Sequence, residues 1–149
     1  MSQHLLFDAA NLELALPAGL VKGVHDTLEI QPVACSRPWF LGLSVAGGRL
    51  LPVTDLGAFA GRRHCSGRLI ELEPSAGIAA IRVDRVYSFS DSLPIGVSEE
   101  KNENGDAREC NLPVADQIIV DNHRRFRILD IIALIQSPAF IEIKDFEDG

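Results

Sequence analysis

Four histidines and three cysteines are the residues of this chain best suited to metal or nucleophilic chemistry, and their spacing argues against both. His4, His25, His64 and His123 form no HxxH or HExxH pair, and Cys35, Cys65 and Cys110 form no CxxC pair, so no zinc-ligating pattern is present. His64 and Cys65 adjoin, but one zinc would capture both only with ligands from elsewhere in the chain. Cys65 with His25 and Asp26 could form a thiol, base and acid set, yet no nucleophile elbow or Gly-x-Cys context surrounds the thiol. An odd, widely spaced trio of cysteines reads as buried or idle thiols rather than a disulfide framework. Gly47-Gly48 lacks the Lys-Ser/Thr and the helix that a phosphate-cradling loop needs, and reads as a hairpin turn. The expectation is a protein with no catalytic residue, no metal and no cofactor.

Binding chemistry is less sharply excluded. Arg62, Arg63 and His64, with Arg68 nearby, are a solvated loop end or a patch facing an acidic partner. Trp39-Phe40, after Pro38, pack in a core or anchor an interface. Nucleic acid is an unsuitable partner, because 14 basic against 21 acidic residues leave a net charge of -7. The acidity is local. Ser98 to Glu109 and Glu142 to Gly149 each carry a net charge of -3, so the rest of the chain is almost neutral. Ser98 to Gln117 is too long for an ordinary connection and reads as a mobile, dispensable loop.

The 149 residues suit one domain, and 46% hydrophobic composition suits a soluble globular one. Met1 to Ala10 shows no signal-peptide pattern and no apolar run reaches a membrane span, which points to the cytoplasm and against membrane insertion. The elements that must position any site are short strands. Leu12, Leu14 and Leu16 alternate with Asn11, Glu13 and Ala15, and Leu28 and Ile30 alternate with Thr27, Glu29 and Gln31. Pro17 to Gly23 allows a turn or two of helix. Leu41 to Ala46 and Arg49 to Val53 make a hairpin about Gly47-Gly48, after which Asp55 caps a short helix that Gly61 stops. Arg68 to Glu73 and Ile78 to Tyr87 are two further strands. Ile118 to Val120 and Arg125 to Leu129 form a hairpin around Asp121-Asn122-His123, and Asp130 caps a helix ended by Ser137-Pro138. Without crossover helices these strands cannot form a parallel α/β sheet, which leaves small antiparallel barrels.

Val21-x-x-Val24, Pro32-Val33, Pro38-Trp39-Phe40-Leu41-Gly42-Leu43, Gly48-Arg49-Leu50-Leu51-Pro52-Val53-x-Asp55-Leu56, Val83-Asp84-x-Val86 and Ile128-Leu129-Asp130 follow one another along the chain. In order and spacing this series resembles the CheW-like coupling domain of bacterial chemotaxis, over about Leu5 to Gln136. The resemblance implies a mainly β fold of two packed five-stranded SH3-like barrel lobes with short helices. On that basis residues 1–136 are a single domain of two interleaved lobes and residues 137–149 an acidic C-terminal tail. It also implies a non-catalytic adaptor that couples the cytoplasmic tip of a chemoreceptor, a methyl-accepting chemotaxis protein, to a CheA-type histidine kinase. Ser137 to Ile143 is similar to the ends of such proteins from type IV pilus twitching systems.

Val21, Val24, Gly42, Leu43, Val45, Gly47 and Arg49 lie near the landmarks where family members meet partners, and are the candidate partner-binding residues. Gly42 and Gly47 would leave backbone open to close approach. Two departures mark the chain: Gly47 stands where the family has Arg, and Gly23 where it has Glu. The alternatives are a protein of the same fold turned to another protein partner, and a small β-barrel enzyme or ligand binder.

Overall fold

The computed structural model describes residues 3–26, 28–96 and 112–141. Eleven strands and three short α-helices are present among them. The chain begins in one lobe, builds the whole of a second, and returns to finish the first. β1 (His4–Ala9) and β2 (Leu12–Pro17) start the first lobe, and a 3-10 turn (Ala18–Leu20) leads out of it. β3 (Val21–His25), β4 (Phe40–Ala46), β5 (Arg49–Asp55), α1 (Leu56–Phe59), β6 (Leu69–Leu72) and β7 (Ala80–Arg82) make the second. β8 (Arg85–Ser90), β9 (Ile95–Gly96), β10 (Val114–Asp121), β11 (Arg124–Leu129), α2 (Ile131–Gln136) and α3 (Pro138–Ile141) complete the first.

The first lobe is a six-stranded sheet in the order β8-β1-β2-β11-β10-β9, and the second a five-stranded sheet in the order β3-β6-β7-β5-β4. Two lobes of a mainly β fold are therefore present, the first with one short extra strand. Both sheets curl. β8 and β9 stand at opposite ends of the strand order but are joined by only four residues, Asp91 to Pro94. Such a link spans at most about 18 Å, whereas six flat strands would extend about 24 Å, so the sheet must roll towards a barrel. In the second lobe, Gln31 exchanges both backbone hydrogen bonds with Leu43 of edge strand β4, at 2.7 and 2.9 Å. Among the described residues, neither hydrogen-bonded ladder closes completely.

Period-two alternation explains where the core sits. One face of β1 and β2 (Leu5, Phe7, Ala9, Leu12, Leu14, Leu16) meets Ile70, Leu72, Ile81 and Val83 of the second lobe in a central seam. α1 adds Leu56 and Phe59, and α2 adds Ile131 and Leu134. The opposite faces fill the lobes themselves: Leu6, Ala15, Ile119, Phe126 and Ile128 in the first, Leu51, Val53, Leu69 and Ala80 in the second. The central strands are thus apolar on both faces, as sheets covered twice must be.

Several elements differ from the sequence expectation. His4–Ala9 is a strand that its continuous apolar run concealed. Leu28 to Gln31 is a strap carrying one β-bridge rather than a strand. Ile78 to Tyr87 is broken at Val83-Asp84, and its two halves belong to different sheets. The long loop ends earlier than expected, because Leu112 is buried in the seam and β10 begins at Val114; Ser98 to Asn111 lie outside the described residues. Phe140, beyond Ser137-Pro138, packs edge-on against Phe59 at 5.7 Å in the central seam.

Three hairpins turn on two residues with positive φ: Ala10-Asn11 (50° and 69°), Gly47-Gly48 (58° and 79°) and Asn122-His123 (55° and 67°). The Gly47-Gly48 and Asn122-His123 turns were plain in the sequence, and the Ala10-Asn11 turn was not. Ala10 is the unusual member, since the left-handed region costs an L-residue about 1–2 kcal/mol.

Candidate partner-binding surface

The β4–β5 hairpin gathers five of the seven candidate residues: Gly42, Leu43, Val45, Gly47 and Arg49. Its register places Leu43 opposite Pro52, Val45 opposite Leu50 and Ala46 opposite Arg49. Val45 and Leu50 point out of the same face and are 62% and 61% exposed. Gly47, Gly48 and Arg49 are exposed beside them. Leu50 is the residue that sequence reasoning missed. The signal was available, since Leu50 and Leu51 are neighbours on a strand and must point to opposite faces; Leu51 is buried.

The backbone at Gly42 and Leu43 is not open to close approach as expected, although Leu43 stays half-exposed. Gly42 has φ +136°, and a Cβ there would stand 2.2 Å from the Gln31 carbonyl oxygen. Its missing side chain admits the strap of this same chain, which also bonds Leu43 and accepts the Ser44 hydroxyl at Glu29 O. Val21 and Val24 lie on β3, at the other end of the strand order, half-buried against the central seam. A Cβ on Gly23 between them would meet nothing within 4 Å, so backbone packing does not exclude the Glu found in the family at that place. Beside them, His25 Nε2 lies 2.8 Å from Glu71 Oε1.

The other candidate chemistry is dispersed. Cys65, His25 and Asp26 bond separately: the Cys65 N–H to Asp55, His25 to Glu71, and Asp26 to Arg68. Burial pushes the Cys65 thiol up to about 12, with Asp55 and Asp84 adding to the rise, so the reactive thiolate is not formed at neutral pH. Among the described residues, no three His, Cys, Asp or Glu side chains group as a metal site. The basic run bonds within the chain while Arg63 and His64 stay exposed: Arg62 donates to Ala10 O at 3.1 Å, Arg63 pairs with Asp84 at 3.0 Å, and His64 Nε2 lies 3.2 Å from Pro38 O. Arg124 is similarly held, its guanidinium on Glu13 and stacked 4.4 Å from the Tyr87 ring centroid. Trp39 packs edge-on against Phe59 at 5.3 Å, on the margin of the seam.

Two carboxylates, buried Asp55 and half-buried Asp84, organise the loop that follows α1. Asp55 is fully buried, caps α1 through the Ala58 N–H at 2.9 Å, and accepts the Cys65 N–H at 3.0 Å. Asp84 accepts the N–H groups of Ala10 at 2.7 Å and Ser66 at 3.1 Å, besides Arg63. Burial alone would raise the Asp84 carboxyl, but those donors together hold it below the usual carboxylate range. Gly57 and Gly67 let the intervening loop approach, for a Cβ on either would stand within 2.2 Å of a backbone oxygen.

What this arrangement offers is a mainly apolar strand tip, with Arg49 at its side, on a buried base. Among the described residues, no helix is long and apolar enough to cross a membrane. The chain is similar in structure to the scaffolding protein TtCheW from Thermoanaerobacter tengcongensis, with a TM-score of 0.73 at 18% identity, over 95% of this chain and 96% of that one. No curated protein matches the sequence. The family model of the CheW-like domain matches residues 3–139, which takes in both lobes, the central seam and the hairpin, and the chain therefore belongs to the CheW-like domain family.

Proposed function

We propose that this protein is a non-catalytic adaptor that couples a chemoreceptor to a CheA-type histidine kinase, and that the β4–β5 hairpin tip meets the kinase. The observation that carries the reading is the cross-strand pair Val45 and Leu50, both more than half exposed. Apolar side chains beside an unpaired strand edge suit a partner that is itself a barrel, because edge pairing adds main-chain hydrogen bonds to buried apolar area. Arg49 stands next to the pair and supplies one charge at the rim, where it steers association more than it strengthens it. The receptor tip fits a separate surface, between the lobes, and the half-buried Val21 and Val24 on β3 face that side of the seam. The resemblance of the closing segment favours pilus motility as the output, in the cytoplasm.

The Gly residues at 23 and 47 favour a second reading, a protein of this fold turned to another protein partner. Binding separates the two. The CheA-type kinase of the same cell should bind the wild-type chain, and Val45→Asp should weaken that binding several-fold at unchanged thermal stability. A wild-type chain that binds no such kinase would leave only the second reading; a kinase that binds Val45→Asp equally well would remove the hairpin from the interface.

A further inference from the structure

The β1–β2 turn reaches out of the first lobe and is gripped by the second. Ala10, at its apex, is 2% exposed and has φ 50°. Both of its backbone polar groups are engaged by residues outside the hairpin: its N–H by Asp84 at 2.7 Å and its carbonyl by Arg62 at 3.1 Å. Its methyl group lies where α1 begins, against the position a Cβ on Gly57 would take, at 3.2 Å. A non-glycine residue persists in that backbone region only where its surroundings over-determine it. Here the surroundings are α1, the loop that follows it and the β7–β8 crossover.

Asp84 is the common point of this grip. It occupies the two-residue crossover between β7 of the second lobe and β8 of the first. Its backbone N–H donates to Asp8 O in the first lobe at 2.9 Å. Its carboxylate accepts Ala10 from the first lobe, and Ser66 and Arg63 from the second. The neighbouring Val83 exchanges bonds with Gly67 and Arg68 of the second lobe. Charge-assisted bonds of this kind are stronger than neutral ones and directional, so the carboxylate constrains an angle as well as a distance.

We propose that the Ala10-Asn11 turn and Asp84 form an interlobe latch, which sets the angle between the two lobes and can open without unfolding either. The central seam holds the lobes together by apolar burial, to which the latch adds directional, charge-assisted bonds between them. The latch supplies the orientation. It rests on the fold alone and stands whichever partner the protein serves.

Amide hydrogen exchange by NMR tests it on the intact chain. In Asp84→Asn the Ala10 and Ser66 amides should exchange at least about tenfold faster, while amides of the β4–β5 and β10–β11 hairpins keep their wild-type rates. Small-angle scattering should show a slightly broader envelope for the same variant. Ala10→Gly, which relieves the positive φ and keeps the backbone bonds, should retain protection at Ser66 and raise the melting temperature. Should Asp84→Asn fail to fold, Arg63→Gln removes one arm of the grip and should show the same local pattern to a smaller extent. Acceleration spread evenly over both lobes, or wild-type exchange at Ala10 and Ser66, would overturn the latch.

Discussion

The two ends of the β4–β5 hairpin have opposite characters. At its root, Val53, Thr54 and Asp55 are buried, and Asp55 joins α1 to the loop that grips the first lobe. At its tip, Val45, Arg49 and Leu50 are exposed around a Gly-Gly turn. The motif that carries the family resemblance here, Gly48-Arg49-Leu50-Leu51-Pro52-Val53-x-Asp55-Leu56, runs from the tip to the root, and Val83-Asp84 is the crossover. The departure at Gly47 belongs to the tip. Packing against both lobes holds the root, whereas Val45 and Leu50 at the tip stand more than half exposed.

The largest effect expected from this contrast is on stability at the root. Asp55→Ala removes a helix cap and a charge-assisted anchor for Cys65, and should cost about 3 kcal/mol in urea unfolding. A cost below about 1 kcal/mol would mean that the root is not the structural end. Gly42→Ala comes next: the Cβ would collide with the Gln31 carbonyl, and the strap would have to lift, at about 2 kcal/mol. Gly23→Glu, in open space on β3, should fall within about 0.5 kcal/mol of wild type, and the pair of unfolding curves sharpens the distinction between a glycine that packing requires and one that it does not.

Acid should act on the junction and spare the tip. The Asp84 carboxyl lies below the usual carboxylate range in the folded chain, so its contribution is fully present at neutral pH and is lost as pH falls through that lowered value. Melting temperatures of wild type and Asp84→Asn should differ at pH 7 and converge towards pH 3. A difference that stays constant across that range would assign the effect to shape rather than charge. The smallest stability effect belongs to the tip itself: Val45→Asp should shift unfolding by less than about 0.5 kcal/mol while its effect appears in binding. A large loss of stability there would make Val45 a packing residue and erase the contrast between the two ends.

Much of the local structure was legible because it is set by neighbours in sequence. The Gly47-Gly48 hairpin, the Asp55 and Asp130 caps and the β10–β11 hairpin all follow from turn chemistry and capping within four residues. The Ala10-Asn11 turn was hidden, because alanine has no propensity for the conformation that contacts from the second lobe impose on it. The break at Val83-Asp84 was hidden for the same reason: the segment from Ile78 to Tyr87 contains no Gly or Pro to stop it, and the change of sheet is dictated by which neighbours the two halves find. Leu28 to Ile30 alternates as a strand does, yet these residues lie in a strap over the second lobe's core.

The candidate site divides in the same way. Exposure of Val45 and Leu50 follows from strand alternation and a two-residue turn, and so was within reach of the sequence. The closure of Gly42 and Leu43 under the strap was not, since it depends on Gln31, about a dozen residues away, arriving at the β4 edge. By itself the sequence determined most of the strands, where most hairpins turn and which helices are capped, because those depend on backbone preference and hydrogen bonds over a few residues. Only the tertiary structure decided which strand edges stay open, which glycines admit another segment and how the lobes are joined, because each rests on contacts between residues distant in the chain, to which local preference is blind.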